Sequence, residues 1–240
     1  MIVITGDSHA TRMREALSLL SETEQKDFKV KFGKLASAML MPGRFFNKKF
    51  FREDNEGIVF TDEEASRIFN KITKNKGTIK RNDPRKFLFS MGFHAVTFLN
   101  NKCWSDFSID PKSNKQYISK NAFIEMVKYN SRYTLKFLEK TKSLGVEFSV
   151  LMSPPPQRSF YLDRDKINKN FTESQYLLIC ETYRNTFANE LNTLAIDIIS
   201  PPDEAIKDGF LREEFASEKP GDFHSNIEFK MLYLKKLLTI

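Results

Sequence analysis

The residues best placed to do chemistry stand near the N-terminus, in the run Gly6-Asp7-Ser8-His9-Ala10. This run follows the apolar segment Ile2-Val3-Ile4, which predicts a short buried strand. Loops at strand ends collect the functional groups of α/β domains, so a serine hydroxyl delivered there is a candidate nucleophile. The tripeptide Gly6-Asp7-Ser8 is also common turn chemistry, so by itself it is weak evidence.

The chain contains only three histidines, and each lies in or beside a segment that is typical of a strand end or a catalytic loop. They are His9, His94 in the run Phe89–His94, and His224 in the run Pro220–Asn226. Serine, histidine and aspartate together can deprotonate a hydroxyl near neutral pH and orient the base, and Asp222 precedes His224 closely. The alternative interpretation is that these are scattered polar residues without a shared role.

Length and composition predict one folded unit. At 240 residues and 40% hydrophobic content, with 23 phenylalanines, the chain can form a sizeable core. It shows no repeat or low-complexity linker, so a single domain over residues 1–240 is the simplest organisation. No run approaches the ~20 apolar residues that span a bilayer, and Met1–Ile4 is too short for a signal peptide. We therefore expect no membrane span and a cytoplasmic location.

The two cysteines, Cys103 and Cys180, are far apart in sequence and flanked by ordinary apolar positions. Without evidence of export, free thiols are expected rather than a disulfide. The sequence contains no Cys/His cluster with the spacing of metal ligands. Neither a metal site nor a cofactor is expected.

The net charge of +7 comes mostly from lysine, and the densest basic stretch runs from Lys71 to Lys86 with Asp83 as its only acid. Such a stretch can attract a phosphorylated or acidic substrate, or nucleic acid. It has no interleaved aromatic residues and no nucleic-acid-binding motif. A solvated, lysine-rich connection is the preferred interpretation, and no nucleic-acid partner is expected.

Strand and helix patterns alternate along the chain, which favours an α/β fold with a mainly parallel sheet covered on both faces. The predicted strands are Ile2–Thr5, Phe28–Phe32, Lys86–Met91, Val146–Met152 and Leu194–Ile199. The predicted helices are Ala10–Ser21, Lys120–Leu144, Thr172–Leu191 and Ser225–Leu238.

Between about residues 39 and 85 the pattern degrades, which predicts an irregular insertion. Its candidate elements are short strands at Phe45-Phe46, Phe50-Phe51 and Gly57–Phe60, and a helix that opens at Thr61–Glu64.

Loops that follow the strands of a parallel sheet lie at the same edge. Ser8 follows the first predicted strand, Gly33 follows the second and His94 follows the third, while Asp222 and His224 precede the last helix. We therefore expect Ser8 and His224 to be neighbours in the folded chain.

With these blocks the chain resembles the SGNH, or GDSL-type, hydrolases. The resemblance rests on Gly6-Asp7-Ser8, on Asp222-Phe223-His224, on the strand and proline turn Val150–Pro156, and on His224-Ser225-Asn226 before the final helix. It covers nearly the whole length. It implies a three-layer α/β/α sandwich with a flavodoxin-like, mainly parallel sheet of about five strands.

The resemblance implies that Ser8 attacks an acyl carbonyl while His224 takes the serine proton and later protonates the leaving alcohol. Asp222 would hold the imidazole, and Asp7 would support the serine turn. The family usually spaces this pair as Asp-x-x-His, whereas here the two residues are closer. Residues two apart in an extended segment face the same side, so Asp222 can reach, with Glu218 as the alternative acid.

The resemblance also implies an oxyanion hole made by the Ser8 N–H, a second-block glycine N–H and a third-block side chain. The glycine is Gly33 or Gly43, and Gly33 is preferred because it ends a predicted apolar strand. The third block, normally Gly-x-Asn-Asp, reads Gly92-Phe93-His94-Ala95 here, with Gly92 as a supporting residue. A neutral His94 can replace the asparagine as donor; the alternative is that His94 packs under the insertion.

The leading hypothesis is a serine esterase or deacylase that hydrolyses an acyl ester, most simply an O-acetyl group on a saccharide or small molecule, through an acyl-Ser8 intermediate. One alternative is a glycan O-acyltransferase with the same triad. The other is a non-catalytic saccharide-binding module that retains the fold. Nucleotide binding is disfavoured because the sequence has neither a P-loop nor a dinucleotide fingerprint. The acyl length and the oligomeric state are not indicated.

Overall fold

The computed structural model describes residues 1–74, 77–163, 170–219 and 221–240. Lys76 of the basic stretch and Pro220 of the C-terminal block lie outside these described residues. The strands, in chain order, are β1 (Ile2–Gly6), β2 (Leu35–Met39), β3 (Phe51–Glu53), β4 (Gly57–Phe60), β5 (Thr78–Lys80), β6 (Lys86–Ser90), β7 (Phe107–Ser108), β8 (Gln116–Tyr117), β9 (Phe148–Leu151), β10 (Ile198–Ile199), β11 (Ile206–Lys207) and β12 (Phe210–Leu211).

The α-helices are α1 (Met13–Ser18), α2 (Glu22–Phe32), α3 (Glu63–Thr73), α4 (Val96–Leu99), α5 (Lys120–Ser143), α6 (Arg158–Asp163), α7 (Glu173–Thr193) and α8 (Ile227–Thr239). Short 3-10 helices cover Ser8–Ala10, Gly43–Asn47, Lys102–Ser105, Asp203–Ala205 and Glu213–Phe215.

Five strands form the central sheet in the order β2-β1-β6-β9-β10, and every pairing between them is parallel. Numbered along the chain this is the order 2-1-3-4-5 of flavodoxin-like sheets, which confirms the predicted fold class. At the carboxyl edge Gly6 is in register with Met39 on one side and Ser90 on the other. The loops after these strands therefore begin side by side.

Side chains alternate between the two faces of the sheet and enter two separate cores. On β6, Phe87 and Phe89 face a core that also holds Phe137 of α5 and Phe187 of α7. Leu88, between them in sequence, faces the other core, which is closed by α1, α2 and α8. The sheet is thus the middle layer of a three-layer α/β/α sandwich, as predicted.

The strand predicted at Phe28–Phe32 is wrong, because these residues form the last turns of α2. The helix begins at a capping box, in which the Ser21 side chain accepts from the Glu24 N–H and the Glu24 carboxylate accepts from the Ser21 N–H. Phe28 and Phe32 are one helical turn apart and their ring centroids lie 4.9 Å apart. The second strand of the sheet is β2, which starts after the helix has ended at Gly33.

The segment predicted as an irregular insertion contains regular structure. Strands β3, β4 and β5 form an antiparallel sheet, and α3 begins at the predicted position with Asp62 as its N-cap. Phe45 and Phe46 lie in a 3-10 helix instead of the expected strand. Part of the basic stretch is structural, because the buried Arg85 donates to Asp83 and, at 3.1 Å, to the carbonyl of Thr73.

Cys103 and Cys180 are free thiols, and Cys180 is buried. Within the described ranges, no helix combines the length and the apolar character needed to cross a membrane.

Replacing Gly6 with alanine tests how closely β1 and β6 must approach beneath the serine turn. A Cβ there would lie 2.0 Å from the carbonyl oxygen of Ser90, on a backbone with φ of +140°. Both the clash and the strain oppose folding, so we expect Gly6→Ala to lower the free energy of unfolding by about 2–4 kcal/mol in urea denaturation.

Gly33→Ala is the matched control for that variant. Its φ is also positive, at +71°, but its Cβ would meet nothing closer than the Met1 nitrogen at 3.4 Å. We expect a loss of about 1 kcal/mol from backbone strain alone. Equal losses in the two variants would show that the contact with Ser90 is not the constraint.

Candidate functional site

The turn after β1 holds Ser8 half-buried at the carboxyl edge of the sheet. Asp7 organises this turn, since its Oδ1 accepts from the His9 N–H at 2.9 Å and from the Ser90 hydroxyl at 2.9 Å. The Asp7 N–H in turn donates to the Ser90 carbonyl at 2.7 Å. The position of Ser8 is thereby tied to the ends of both β1 and β6.

The segment before α8 delivers His224 to the same edge. The His224 carbonyl accepts from the Ser217 N–H at 2.8 Å, and the Asn226 N–H donates to the Phe215 carbonyl at 2.9 Å. Asn226 is also the N-cap of α8, because its side chain accepts from the Phe229 N–H. The histidine therefore lies in an extended piece that is fixed at both ends.

Ser8, His224 and Asp222 form a continuous hydrogen-bonded chain. The distance from Ser8 Oγ to His224 Nε2 is 2.6 Å, and His224 Nδ1 contacts Asp222 Oδ1. Asp222 Oδ1 also accepts from the His224 backbone N–H at 3.1 Å, which is possible because the two residues are only two positions apart. The short Asp-x-His spacing thus brings the carboxylate onto the imidazole. Glu218, the alternative acid, is exposed.

The surroundings of Asp222 favour its ionised form. Burial raises the pKa of this carboxyl, but hydrogen bonds from His224, together with one from the Ser217 hydroxyl at 3.0 Å, outweigh it and leave the pKa below its ordinary value. A carboxylate in this position orients the ring and stabilises an imidazolium.

Two backbone donors are available beside the serine hydroxyl. The loop after β2 crosses over the end of β1, where the Leu40 N–H donates to the Gly6 carbonyl at 2.8 Å, and this brings Gly43 next to Asp7 and His94. Neither the Ser8 N–H nor the Gly43 N–H donates a hydrogen bond within the described parts of the chain. Backbone N–H groups that have no acceptor in the chain are available to an anionic oxygen.

The structure corrects the assignment of Gly33 to the oxyanion hole. Gly33 precedes β2 and lies beside Met1, at the opposite edge of the sheet from Ser8. The reason is that Phe28–Phe32 belong to α2, so the second strand of the sheet is β2 and not this segment. The loop that contains Gly43 follows the carboxyl end of β2. Gly43, the alternative glycine, is the one that lies beside Asp7 and His94.

His94 follows β6 and lies against the other histidines and Phe223. Its ring centroid is 4.4 Å from that of Phe223 and 5.7 Å from that of His9. Burial, with smaller contributions from His224 and Arg184, lowers the pKa of His94 to about 4. The ring is therefore neutral at neutral pH and carries one N–H. A Cβ on Gly92, two positions earlier, would lie 2.1 Å from the Phe187 ring, so only glycine fits that turn.

Three residues at the site were not assigned a role from sequence. His9 is buried between His94 and His224, neither of its ring nitrogens has a hydrogen-bond partner among the described residues, and burial lowers its pKa far below the ordinary value. Lys230 of α8 is buried, and burial lowers its pKa to about 8. A lysine on the apolar stripe of a helix is a signal that could have identified it. The third of these residues is Arg184 of α7, whose guanidinium donates to the Ser153 carbonyl at 2.6 Å.

A narrow cleft opens beside Gly43 and His94. Polar groups line much of it. The Asn130 amide donates to the Tyr183 hydroxyl at 3.1 Å, whereas the buried Asn47 Oδ1 has no partner among the described residues. The Ser131 Oγ approaches Tyr183 without the geometry of a hydrogen bond. Asn47 Oδ1 and Ser131 Oγ are therefore buried polar atoms in residues of the cleft lining that the described chain leaves without a partner.

Comparison with known proteins finds similarity among solved structures only. No family model matches the sequence, and no curated protein matches it significantly. The chain is similar to the acetyl xylan esterase AlAXEase at 11% identity, with 100% of this chain and 98% of that chain covered and a TM-score of 0.49. It is also similar to a GDSL-like lipase from Bacteroides thetaiotaomicron at 10% identity, with 99% and 87% covered and a TM-score of 0.48. At these values the function has to be inferred from this chain's own geometry.

Replacing Asp7 with asparagine tests how much stability the folded chain loses when the buried carboxyl of Asp7 ionises. Burial raises the pKa of Asp7 from 3.8 to about 6. The folded state therefore binds more protons than the unfolded state between those values, and the wild type loses stability as the pH rises through this window. The substituted amide keeps an oxygen that accepts from His9 and Ser90 but never ionises.

We therefore expect the unfolding free energy of Asp7→Asn, relative to wild type, to increase by up to about 3 kcal/mol between about pH 4 and pH 7, measured by urea denaturation. Asp27→Asn, on the exposed face of α2, removes the same charge from the surface and is the control. A difference between Asp7→Asn and wild type that stays constant with pH would contradict the buried-carboxylate account.

Proposed function

We propose that the chain is a serine esterase that uses Ser8 as nucleophile, His224 as general base and Asp222 as the residue that orients the base. The observation that carries this proposal is the hydrogen-bonded chain from Ser8 Oγ, 2.6 Å from His224 Nε2, to Asp222. A serine hydroxyl is a weak nucleophile until a base within hydrogen-bond reach takes its proton. The base must also be held in the tautomer that leaves Nε2 free, which Asp222 does by accepting from Nδ1.

In the first half of the reaction Ser8 Oγ attacks the ester carbonyl carbon, and its proton moves to His224 Nε2. The tetrahedral intermediate collapses as the bond to the alkoxy oxygen breaks, and the imidazolium returns the proton to the leaving alcohol. In the second half His224 takes a proton from water, and the resulting hydroxide attacks the acyl-serine. The acid is released and Ser8 recovers its proton. Asp222 remains ionised throughout.

The developing oxyanion is stabilised by the Ser8 N–H, the Gly43 N–H and the ring N–H of His94. Gly43 and His94 are neighbours, since a Cβ on Gly43 would lie 3.4 Å from His94 Cδ2. A neutral imidazole donates one hydrogen bond without placing a second full positive charge beside the His224 imidazolium. Its low pKa therefore suits this role. Each donor of this kind contributes about 3 kcal/mol to the barrier.

The cleft beside Gly43 and His94 favours a short acyl group such as acetyl, and a hydroxyl-rich alcohol. Its polar groups include Asn47, Asn130 and Tyr183. A fatty acyl chain needs a long apolar surface, whereas a saccharide matches unused donors and acceptors. An O-acetyl ester of a saccharide is the substrate class that this lining supports.

Ser8→Ala tests the nucleophile with a fluorophosphonate probe, which reacts covalently with activated serines. We expect wild type to be labelled at Ser8, and labelling and p-nitrophenyl acetate hydrolysis to fall by at least about a thousandfold in the variant. Ser18→Ala removes an exposed hydroxyl and is the control. Labelling that survives in Ser8→Ala, or its absence from folded wild type, would refute the proposal; the second result favours a binding module.

Gly43→Ala tests the second-block donor. The new Cβ would lie 3.4 Å from His94 Cδ2, which is an ordinary contact distance, so the variant is expected to fold. The added methyl group would stand beside two of the proposed oxyanion donors and shift a bound oxygen slightly. Because small displacements of catalytic groups are costly, we expect kcat for p-nitrophenyl acetate to fall on the order of tenfold.

Gly33→Ala, at the far edge of the sheet, provides the comparison for kcat as well as for stability. It is expected to retain the wild-type kcat at a temperature where it is folded. A larger kcat loss in Gly33→Ala than in Gly43→Ala would reverse the assignment of the two glycines.

A further inference from the structure

Arg184 of α7 lies in a small pocket that adjoins the proposed active site. The pocket is lined by His94 and Phe223 on the site's side and by Pro154 and Pro156 on the other. The Phe223 ring packs at a tilt against both His94 and His224, with ring centroids 4.4 Å and 4.2 Å away. Phe223, which contacts the proposed base, thus lines the same pocket as Arg184.

The chain itself satisfies this guanidinium only in part. Arg184 Nη1 donates to the Ser153 carbonyl at 2.6 Å, and among the described residues no carboxylate lies within ion-pair distance of Arg184. Burial lowers the pKa of Arg184 to about 10, so the group stays charged at neutral pH. Arg184 is half-buried, and its guanidinium carbon lies 6.0 Å from the centre of the Phe93 ring. One hydrogen bond to a neutral carbonyl and one ring contact replace only part of the hydration that its charge loses.

The acids of the site are committed to other partners. Asp7 accepts from His9 and Ser90, and Asp222 accepts from His224 and Ser217. Neither can neutralise Arg184 without giving up those contacts. A structural role alone, holding the Ser153 carbonyl at the proline turn, would require only a neutral donor.

A second arginine flanks the site. Arg44 lines the cleft beside Gly43, on the other side of His94. It is exposed, and its guanidinium stacks over Phe45 at 4.9 Å, with no ion pair to a described carboxylate. The face of the site around His94 therefore carries positive charge that the described chain does not balance.

We propose that Arg184 is a specificity-determining residue that binds an anionic group, a carboxylate or a phosphate, on the ester substrate. The inference rests on the proposed esterase function and names its substrate class as esters of acidic molecules, such as acidic saccharides. The planar guanidinium fork matches both anions, and two of its nitrogens remain free for them. The pocket holds at most about one water-sized oxygen, so the anion would meet the half-buried guanidinium at the pocket's mouth while the rest of the substrate stays outside it.

The test is calorimetric and needs no turnover. Ser8→Ala protein is titrated with glucuronate, with glucose 6-phosphate and with neutral glucose. We expect one or both acidic sugars to bind more tightly than glucose, and their affinity to drop on the order of tenfold or more when Arg184→Gln is added. Arg52→Gln, which removes an exposed arginine from β3, is expected to retain the affinity. The two acidic sugars distinguish a carboxylate from a phosphate.

Equal affinity for acidic and neutral sugars, or anion binding that survives Arg184→Gln, would overturn the proposal. Should Arg184→Gln fail to fold, Arg184→Lys keeps the charge without the fork, and we expect it to weaken the binding several-fold; unchanged affinity would overturn the proposal equally. Failure of the esterase function is detected separately, as absence of fluorophosphonate labelling of Ser8 in wild type, and it leaves the calorimetric result unaffected.

Discussion

The hydrogen bond between Ser8 Oγ and His224 Nε2 is the contact on which the rest of the site depends, and it joins residues 216 positions apart. It requires β1 to end at the carboxyl edge of the parallel sheet and α8 to pack on the face shared with α1. It also requires Gly6, because a side chain there would collide with Ser90. If any of these conditions fails, the hydroxyl and the imidazole are no longer neighbours.

The titratable groups around this contact differ in whether their surroundings favour the neutral or the charged form. His9 and His94 are held neutral, and the pKa of Asp7 is raised, because all three are removed from water. Asp222 is the exception, since hydrogen bonds lower its pKa and keep it ionised beside His224. Asp7 thus holds the serine turn in place, whereas Asp222 would stabilise the positive charge of His224 in the proposed reaction. The guanidinium of Arg184 has no carboxylate partner among the described residues. It therefore places an unbalanced positive charge near His94, which is the charge that the proposed anionic substrate would neutralise.

Local sequence signals were sufficient where one pattern dominated. The strand after Met1, the strand at Lys86, the long helix that stops before Gly145 and the α7 cap at Thr172 were all predicted close to their observed bounds. In each case apolar periodicity and a cap or stop residue agreed. They disagreed at Phe28–Phe32, where a short apolar pattern suited a strand but the capping box at Ser21 had already started a helix. Because the second strand was predicted too early in the chain, Gly33 was preferred over Gly43 as the glycine that follows it.

The pattern of residues was enough to predict the chemical groups and their approximate places: a hydroxyl after the first strand, and a carboxylate and an imidazole before the last helix. It could do so because these features depend on neighbours within a few positions. The folded chain was needed to show that Gly43 and not Gly33 adjoins His94, and that Arg184 has no carboxylate within reach among the described residues. Those are distances between segments far apart in the chain, and they are set by strand register and helix packing, which no local pattern encodes.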